Sequence, residues 1–251
     1  MKYNNSTLFR DAFGHLNFIK RFLIFTLGCI SYNRYNGFNK LRLTGTEYIQ
    51  NLPTNKVLFV SNHQTYFADV FAMFHVFSSV KNGFINTIKN PIYLFNPIIN
   101  LYYVAARETM NQGILTKLFS YSGGIIVNRP WIHSNNNKSY IIDLSEITRM
   151  GIALNNGWLI TFPQGTTKAF APGRRGIVHV IKKYNPIVVP IVIDGFKQAY
   201  DKKGIKIKQK GVLQTMIFKK PMQLDLKNDT TKHIMEKIMD AIEQSPKYKS
   251  I

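Results

Sequence analysis

The chain has 251 residues, 45% of them hydrophobic, with 33 Lys and Arg against 13 Asp and Glu for a formal net charge of +20. That size and apolar content suit one α/β domain with a real core and an extra element, and the charge favours anionic partners: nucleic acid, acidic lipid, a nucleotide-like cofactor or an acidic carrier protein. A single cysteine, Cys29, excludes an intrachain disulfide, and the histidines at 15, 63, 75, 133, 179 and 233 show no metal-ligand spacing, so no metal is expected.

Phe9 to Ile30 places Phe9, Ala12, Phe13, Leu16, Ile19, Leu23, Leu27 and Ile30 at helical spacing, flanked by Arg10, Lys20 and Arg21. Its longest apolar stretch, Phe22 to Ile30, is far short of the roughly 20 residues of a membrane span. Two readings fit: an amphipathic helix lying in a membrane interface, or a helix packed on the core. A signal peptide is the lesser third, because Thr26 and the Arg10-Asp11 start do not suit one. Leu41-Arg42-Leu43-Thr44 alternates as a short strand, and Gly45 turns it. Val57-Leu58-Phe59-Val60 is a buried strand broken by Ser61-Asn62, and Gln64 to Phe74 is helix-compatible. His75 in that helix reads as a packed residue.

Asn90-Pro91 and Asn96-Pro97 break the apolar segment Ile88 to Tyr103, which reads either as a wall for an apolar chain or as a lid over the core. Leu115 to Tyr121 reads as a helix end, and Ile125-Ile126-Val127 as a short strand with Arg129 just past it. Asp143 to Asn156 is a helix ended by Asn155-Asn156-Gly157, followed at once by the strand Trp158 to Phe162, the step expected of a parallel sheet. Ile177 to Lys183 is a helix, and Ile187 to Ile193 a strand that Pro190 places near an edge or bend. Lys202 to Lys210 reads as a solvated basic loop, Val212 to Phe218 as the last strand, and Asp229 or Thr230 caps a final helix bearing Ile234, Ile238, Met239 and Ile242. The expected fold is α/β, a mostly parallel central sheet flanked by helices. It divides into an N-terminal amphipathic, membrane-associating helical segment, residues 1–40, and an α/β domain, residues 41–251.

The chemistry gathers at two strand ends. His63 sits in the turn after the first buried strand, and Asp69 is the only carboxylate near enough in sequence to serve it. An imidazole at a strand-to-helix corner, aligned by a carboxylate, is a general-base arrangement. Phe162-Pro163-Gln164-Gly165-Thr166 follows another apolar strand, and open α/β sheets keep their sites at such strand ends. The guanidinium of Arg129 can grip a phosphate, and Arg174 and Arg175 at a helix start can form an anion site.

In this order the blocks resemble the lysophospholipid (1-acylglycerol-3-phosphate) acyltransferase family. Asn62, His63 and Asp69 resemble its first block, Gly124-Ile125-Ile126-Val127-Asn128-Arg129 its second, Phe162-Pro163-Gln164-Gly165-Thr166 its third, and Val188-Val189-Pro190-Ile191 its fourth. Two departures stand out. Five residues, Gln64 to Ala68, separate His63 from Asp69 where the family has four, which predicts an irregular turn between them; and Gln164 stands where the family has Glu. The resemblance implies transfer of a fatty acyl group from acyl-CoA or an acyl carrier protein to the hydroxyl of a lysophospholipid. His63 and Asp69 would be catalytic, and Asn62, Arg129, Phe162, Pro163, Gln164, Gly165, Thr166, Arg174 and Arg175 would bind substrate. It implies no cofactor beyond the acyl donor as co-substrate, and anionic lipids rather than nucleic acid as partners. The implied location is the cytoplasmic face of a membrane, peripheral or monotopic. Rival readings are a non-phosphate acceptor such as an amino-acid lipid, and a non-catalytic basic protein that binds lipid or nucleic acid.

Overall fold

The structure, a computed structural model, describes residues 9–107, 118–119, 121–127 and 144–249. Its strands are β1 (Lys40–Thr44), β2 (Val57–Ser61), β3 (Leu101–Ala106), β4 (Gly124–Val127), β5 (Trp158–Thr161), β6 (Ile187–Asp194) and β7 (Leu213–Phe218). They form one seven-stranded sheet in the order β1-β7-β6-β2-β5-β3-β4. β6, β2, β5, β3 and β4 run parallel; β7 is antiparallel to β6, and β1 is parallel to β7. This is the mostly parallel sheet expected.

Helices cover both faces, as a parallel sheet requires. The longer ones are α1 (Asn17–Asn36), α2 (Ala68–Lys81), α3 (Leu144–Asn156), α4 (Gly176–Tyr184) and α5 (Thr231–Ala241). β2 lies at the centre, with every residue buried. Its alternation sends Val57 and Phe59 to one face, with Met73 and Phe77 of α2, and Leu58 and Val60 to the other, with Leu154 of α3 and Ile181 of α4. Phe59 stacks near Phe77 and Trp158, with ring centroids 4.5 and 5.2 Å away. Burying each such side chain contributes about 1.5–3 kcal/mol. Thr230 caps α5 by accepting from His233 N–H at 3.2 Å, as its sequence position suggested.

Three expectations are corrected. β3 was not anticipated: Leu101–Ala106 continues the broken apolar segment as a strand between β5 and β4. Pro190 sits inside the sheet, because β6 lies between β7 and β2. Its carbonyl accepts from Lys219 N–H at 2.9 Å. A strand residue points its N and C=O the same way, so the missing donor of Pro190 faces the flank where β7 pairing has ended at Phe218.

The third correction concerns α1, which begins at Asn17 and buries Lys20, Ile24, Gly28, Ser31 and Tyr35. Several of its large apolar residues point the other way: Phe18 is 79% exposed, Phe22 59% and Ile30 70%. The inward face is held by polar contacts. Lys20 Nζ lies 3.3 Å from Asp11 and over the Tyr102 ring, Ser31 Oγ is 2.8 Å from His75 Nε2, and Tyr35 O–H donates to Ala68 O at 2.8 Å. Burial lowers the Lys20 pKa to about 8, although Asp11 pulls it upward. Among the described residues no helix is long and apolar enough to cross a membrane.

Candidate active site

The C-terminal ends of β2, β5 and β6 lie side by side: Val60 pairs with Thr161, and Ser61 with Ile191. Each strand therefore delivers the residues that follow it to the same edge of the sheet. His63 leaves β2 there, Phe162 leaves β5, and the imidazole and phenyl rings stack with centroids 3.8 Å apart at 18°.

His63 Nδ1 lies 2.9 Å from Asp69 Oδ2. The same oxygen accepts from the N–H groups of Gln64 at 2.6 Å and Thr65 at 3.0 Å, and Oδ1 accepts the Thr65 hydroxyl at 2.6 Å. Asp69 is fully buried, and a buried carboxylate is tolerable only with such a set of donors. These contacts also answer the spacing question. Residues 64–67 form bends rather than helix, and α2 starts only at Ala68. The helix expected from Gln64 is thus shortened, and the extra residue is absorbed in an irregular turn before Asp69. With Nδ1 donating to the carboxylate, Nε2 is the basic nitrogen, and it has no protein partner among the described residues. The His63 side chain keeps 12% of its surface exposed. The arrangement can take a proton from a hydroxyl brought to Nε2.

The other expected residues divide by what they touch. Asn62 is buried; its Nδ2 donates to Ile193 O at 2.8 Å, and its Oδ1 accepts Ile193 N–H at 2.8 Å. The amide clips the end of β2 to β6 and holds His63 in place, instead of reaching toward open space. Gln164 is 2% exposed. Its Nε2 donates to Ala171 O at 3.0 Å and to Gln244 Oε1 at 3.2 Å, so it braces the turn from behind. For both residues the expected substrate contact gives way to a framing role, because both polar atoms of the Asn62 amide and the Nε2 of Gln164 are already committed.

Pro163 is buried, and its carbonyl accepts Arg174 N–H at 2.8 Å. Gly165 takes φ +62, and a Cβ there would stand 2.8 Å from Arg174 Nε. The Arg174 side chain therefore crosses directly over this glycine, bringing a guanidinium to the turn. Thr166 Oγ1 accepts Lys168 N–H at 3.3 Å, and Arg175 stands exposed at the N-cap of α4. β4 points Val127 toward the same edge, but Asn128 and Arg129 lie outside the described residues.

Sequence reasoning missed Gln64. Its Oε1 accepts the N–H groups of Phe196 and Lys197 at 2.8 and 3.1 Å, and its Nε2 donates to Asp194 Oδ1 at 2.9 Å. Its place next to His63 was the available signal. His75 is a packed residue, as expected: buried between Ser31 and the Tyr93 hydroxyl, with burial lowering its pKa to about 3. No cluster of three or more His, Cys, Asp or Glu that could hold a metal occurs among the described residues.

Among solved structures, the chain is similar to the 1-acyl-sn-glycerophosphate (LPA) acyltransferase PlsC from Thermotoga maritima. The identity is 15% and the TM-score 0.54, over 88% of this chain and 76% of that one. At that identity the likeness speaks to the fold. A comparison with curated proteins found no match. The family model described as Acyltransferase matches residues 40–194. That model runs through more than half of the sequence, from β1 to the end of β6, and takes in both the His63 turn and the Phe162 turn: the chain belongs to the acyltransferase family.

Proposed function

We propose that this acyltransferase moves a fatty acyl group from a thioester donor, acyl-CoA or an acylated carrier protein, to the hydroxyl of a lysophospholipid such as 1-acylglycerol-3-phosphate. The observation that carries the reading is the 2.9 Å contact between His63 Nδ1 and Asp69, which leaves Nε2 free beside Phe162.

Nε2 removes the acceptor's hydroxyl proton as the oxygen attacks the thioester carbonyl. A tetrahedral intermediate forms, its C–S bond breaks, and the thiolate takes the proton back from the imidazolium. Asp69 stabilises that imidazolium while it exists. The guanidinium of Arg174 over Gly165, together with Arg129, serves the anionic headgroup. Direct transfer needs no acyl-enzyme: Cys29 is exposed on α1, and Ser61 is buried within β2.

Support for a membrane partner comes from α1 and the neighbouring Pro91–Phe95 turn. Phe95 is 72% exposed, its ring centroid 5.3 Å from that of Phe25, and it extends the apolar face of Phe18, Phe22 and Ile30. A patch of this kind on a strongly basic protein suits an anionic bilayer surface, entered from one side. In this reading the protein is peripheral or monotopic on the cytoplasmic face.

The test is thiol release by purified enzyme over a panel of lysolipids, with both donor types. His63→Ala abolishes transfer and Cys29→Ala retains it; an active His63→Ala enzyme sinks the proposal. A preference for a phosphate-free, amino-acid-linked acceptor would keep the chemistry and replace the acceptor.

A further inference from the structure

The loop between His63 and α2 has four backbone N–H groups to satisfy, those of Gln64, Thr65, Tyr66 and Phe67. Asp69 accepts the first two, at 2.6 and 3.0 Å. The next two find partners far away in sequence: Tyr66 N–H donates to Lys202 O at 3.1 Å, and Phe67 N–H to Lys203 O at 3.0 Å. Gly204 follows at φ +76, where a Cβ would stand 2.5 Å from Ala68 N and 2.9 Å from Thr65 Oγ1. The turn from Asp201 to Lys206 is thus pressed backbone to backbone against the loop that carries the catalytic pair.

The turn is itself well held. Asp201 Oδ1 accepts the N–H groups of Ile205 and Lys206 at 2.8 and 2.9 Å. Gly204 N–H donates to Asp201 O at 2.8 Å, and Arg34 Nη2 of α1 donates to Gly204 O at 3.1 Å. The basic stretch read as a solvated face therefore has two sides: lysine side chains outward, and carbonyls turned to the active-site loop.

We infer that the Asp201–Lys206 turn is a positioning brace for His63 and Asp69, with Gly204 as the residue that lets it dock. The inference rests on the catalytic reading of that pair. An additional residue in the loop brings one more backbone donor and more freedom, and Asp69 serves only the first half of the loop. The Lys202 and Lys203 carbonyls fix the second half. A displacement of about 1 Å at a reacting group costs on the order of 100-fold in rate, so a brace of this kind acts on kcat.

The experiment measures kcat, KM and hydrogen exchange at the Tyr66 and Phe67 amides in the full-length enzyme. In the wild type both amides are protected. Gly204→Ala speeds their exchange and lowers kcat by about 100-fold, with KM for donor and acceptor within about twofold. Asp201→Ala adds no bulk, loosens the turn, and lowers kcat by about 10-fold with the same local loss of protection; it carries the test alone if Gly204→Ala does not fold. Lys206→Ala, an exposed side chain, changes neither readout. Unprotected amides in the wild type overturn the brace, as does loss of protection in either variant with kcat unchanged. A fall in kcat without faster exchange at Tyr66 and Phe67 overturns it too. An active His63→Ala enzyme instead overturns the catalytic reading beneath it, whatever the exchange shows.

Discussion

Replacing Asp69 by Asn separates the charge of this side chain from its shape. The carboxylate accepts from His63 Nδ1, from the N–H groups of Gln64 and Thr65, and from the Thr65 hydroxyl. An amide has one oxygen and one NH2. Three of the four donors converge on Oδ2, so the Asn oxygen takes that place and its NH2 faces Thr65 Oγ1, which can rotate to accept. The tautomer of His63 survives, and the negative charge is lost. A hydrogen bond to a charged acceptor is worth about 1–1.5 kcal/mol more than one to a neutral acceptor. The Coulomb attraction for the imidazolium is at most about 4 kcal/mol at an effective dielectric of 20. Transition-state destabilisation of about 2–4 kcal/mol gives a kcat about 30- to 1,000-fold lower, with KM nearly constant. Steady-state thiol release at saturating donor and acceptor measures it. A kcat within threefold of wild type would refute the role given to Asp69. A fall of about 10,000-fold would mean that the amide seats in reverse and hands His63 the wrong tautomer.

Gln164→Glu, which restores the family's residue, destabilises this chain by about 2–4 kcal/mol, because a buried carboxylate then faces the acceptors Ala171 O and Gln244 Oε1; chemical denaturation reads the loss, and a variant as stable as wild type contradicts the bracing role. His75 has its pKa lowered to about 3 by burial, against 6.5 in the unfolded chain. Between those values the unfolded state binds the extra proton, so stability falls as pH drops from 6.5 towards 3, by about 1.4 kcal/mol per unit. Unfolding midpoints between pH 6.5 and 5 report that slope, and His75→Phe flattens it; an unchanged slope would place the proton elsewhere. Phe18→Glu with Phe22→Glu weakens sedimentation with anionic vesicles at least tenfold and leaves turnover of a dispersed, micellar acceptor near wild type. Undiminished vesicle binding would remove α1 from the interface.

The centre of the sheet was legible because β2, β5 and β6 are apolar runs closed by polar turns, and α3 carries its own stop signal in Asn155-Asn156-Gly157. The pairing of His63 with Asp69 was legible for a similar reason, since both partners lie within one local segment. What escaped was set by distant partners. α2 begins four residues later than its composition suggests because residues 64–67 are held in bends, with Asp69 accepting the first two N–H groups and the Lys202 and Lys203 carbonyls the next two. β3 was hidden because Leu101–Ala106 continues an apolar segment whose Asn-Pro breaks advertise turns. The stripe on α1 left two readings open because no periodicity rule reveals which face has a partner: Phe18, Phe22 and Ile30 look outward, while Lys20, Ile24, Ser31 and Tyr35 meet the protein. Asn62 and Gln164 were placed in the right turns but given the wrong neighbours, because a side-chain amide does not announce whether it will meet a ligand or a backbone.

The inward face of α1 has a mechanical consequence. Arg34 grips Gly204 O, Tyr35 grips Ala68 O, and Ser31 joins His75 in α2, all within one helix. No flexible tether separates the greasy outer side of that helix from the imidazole. If α1 rests on lipid, the height of His63 above the bilayer is fixed by the length of three hydrogen bonds and a rigid rod. Tilting the rod would then pull on the reaction centre, and turnover would respond to how the surface is packed as well as to what is dissolved in it.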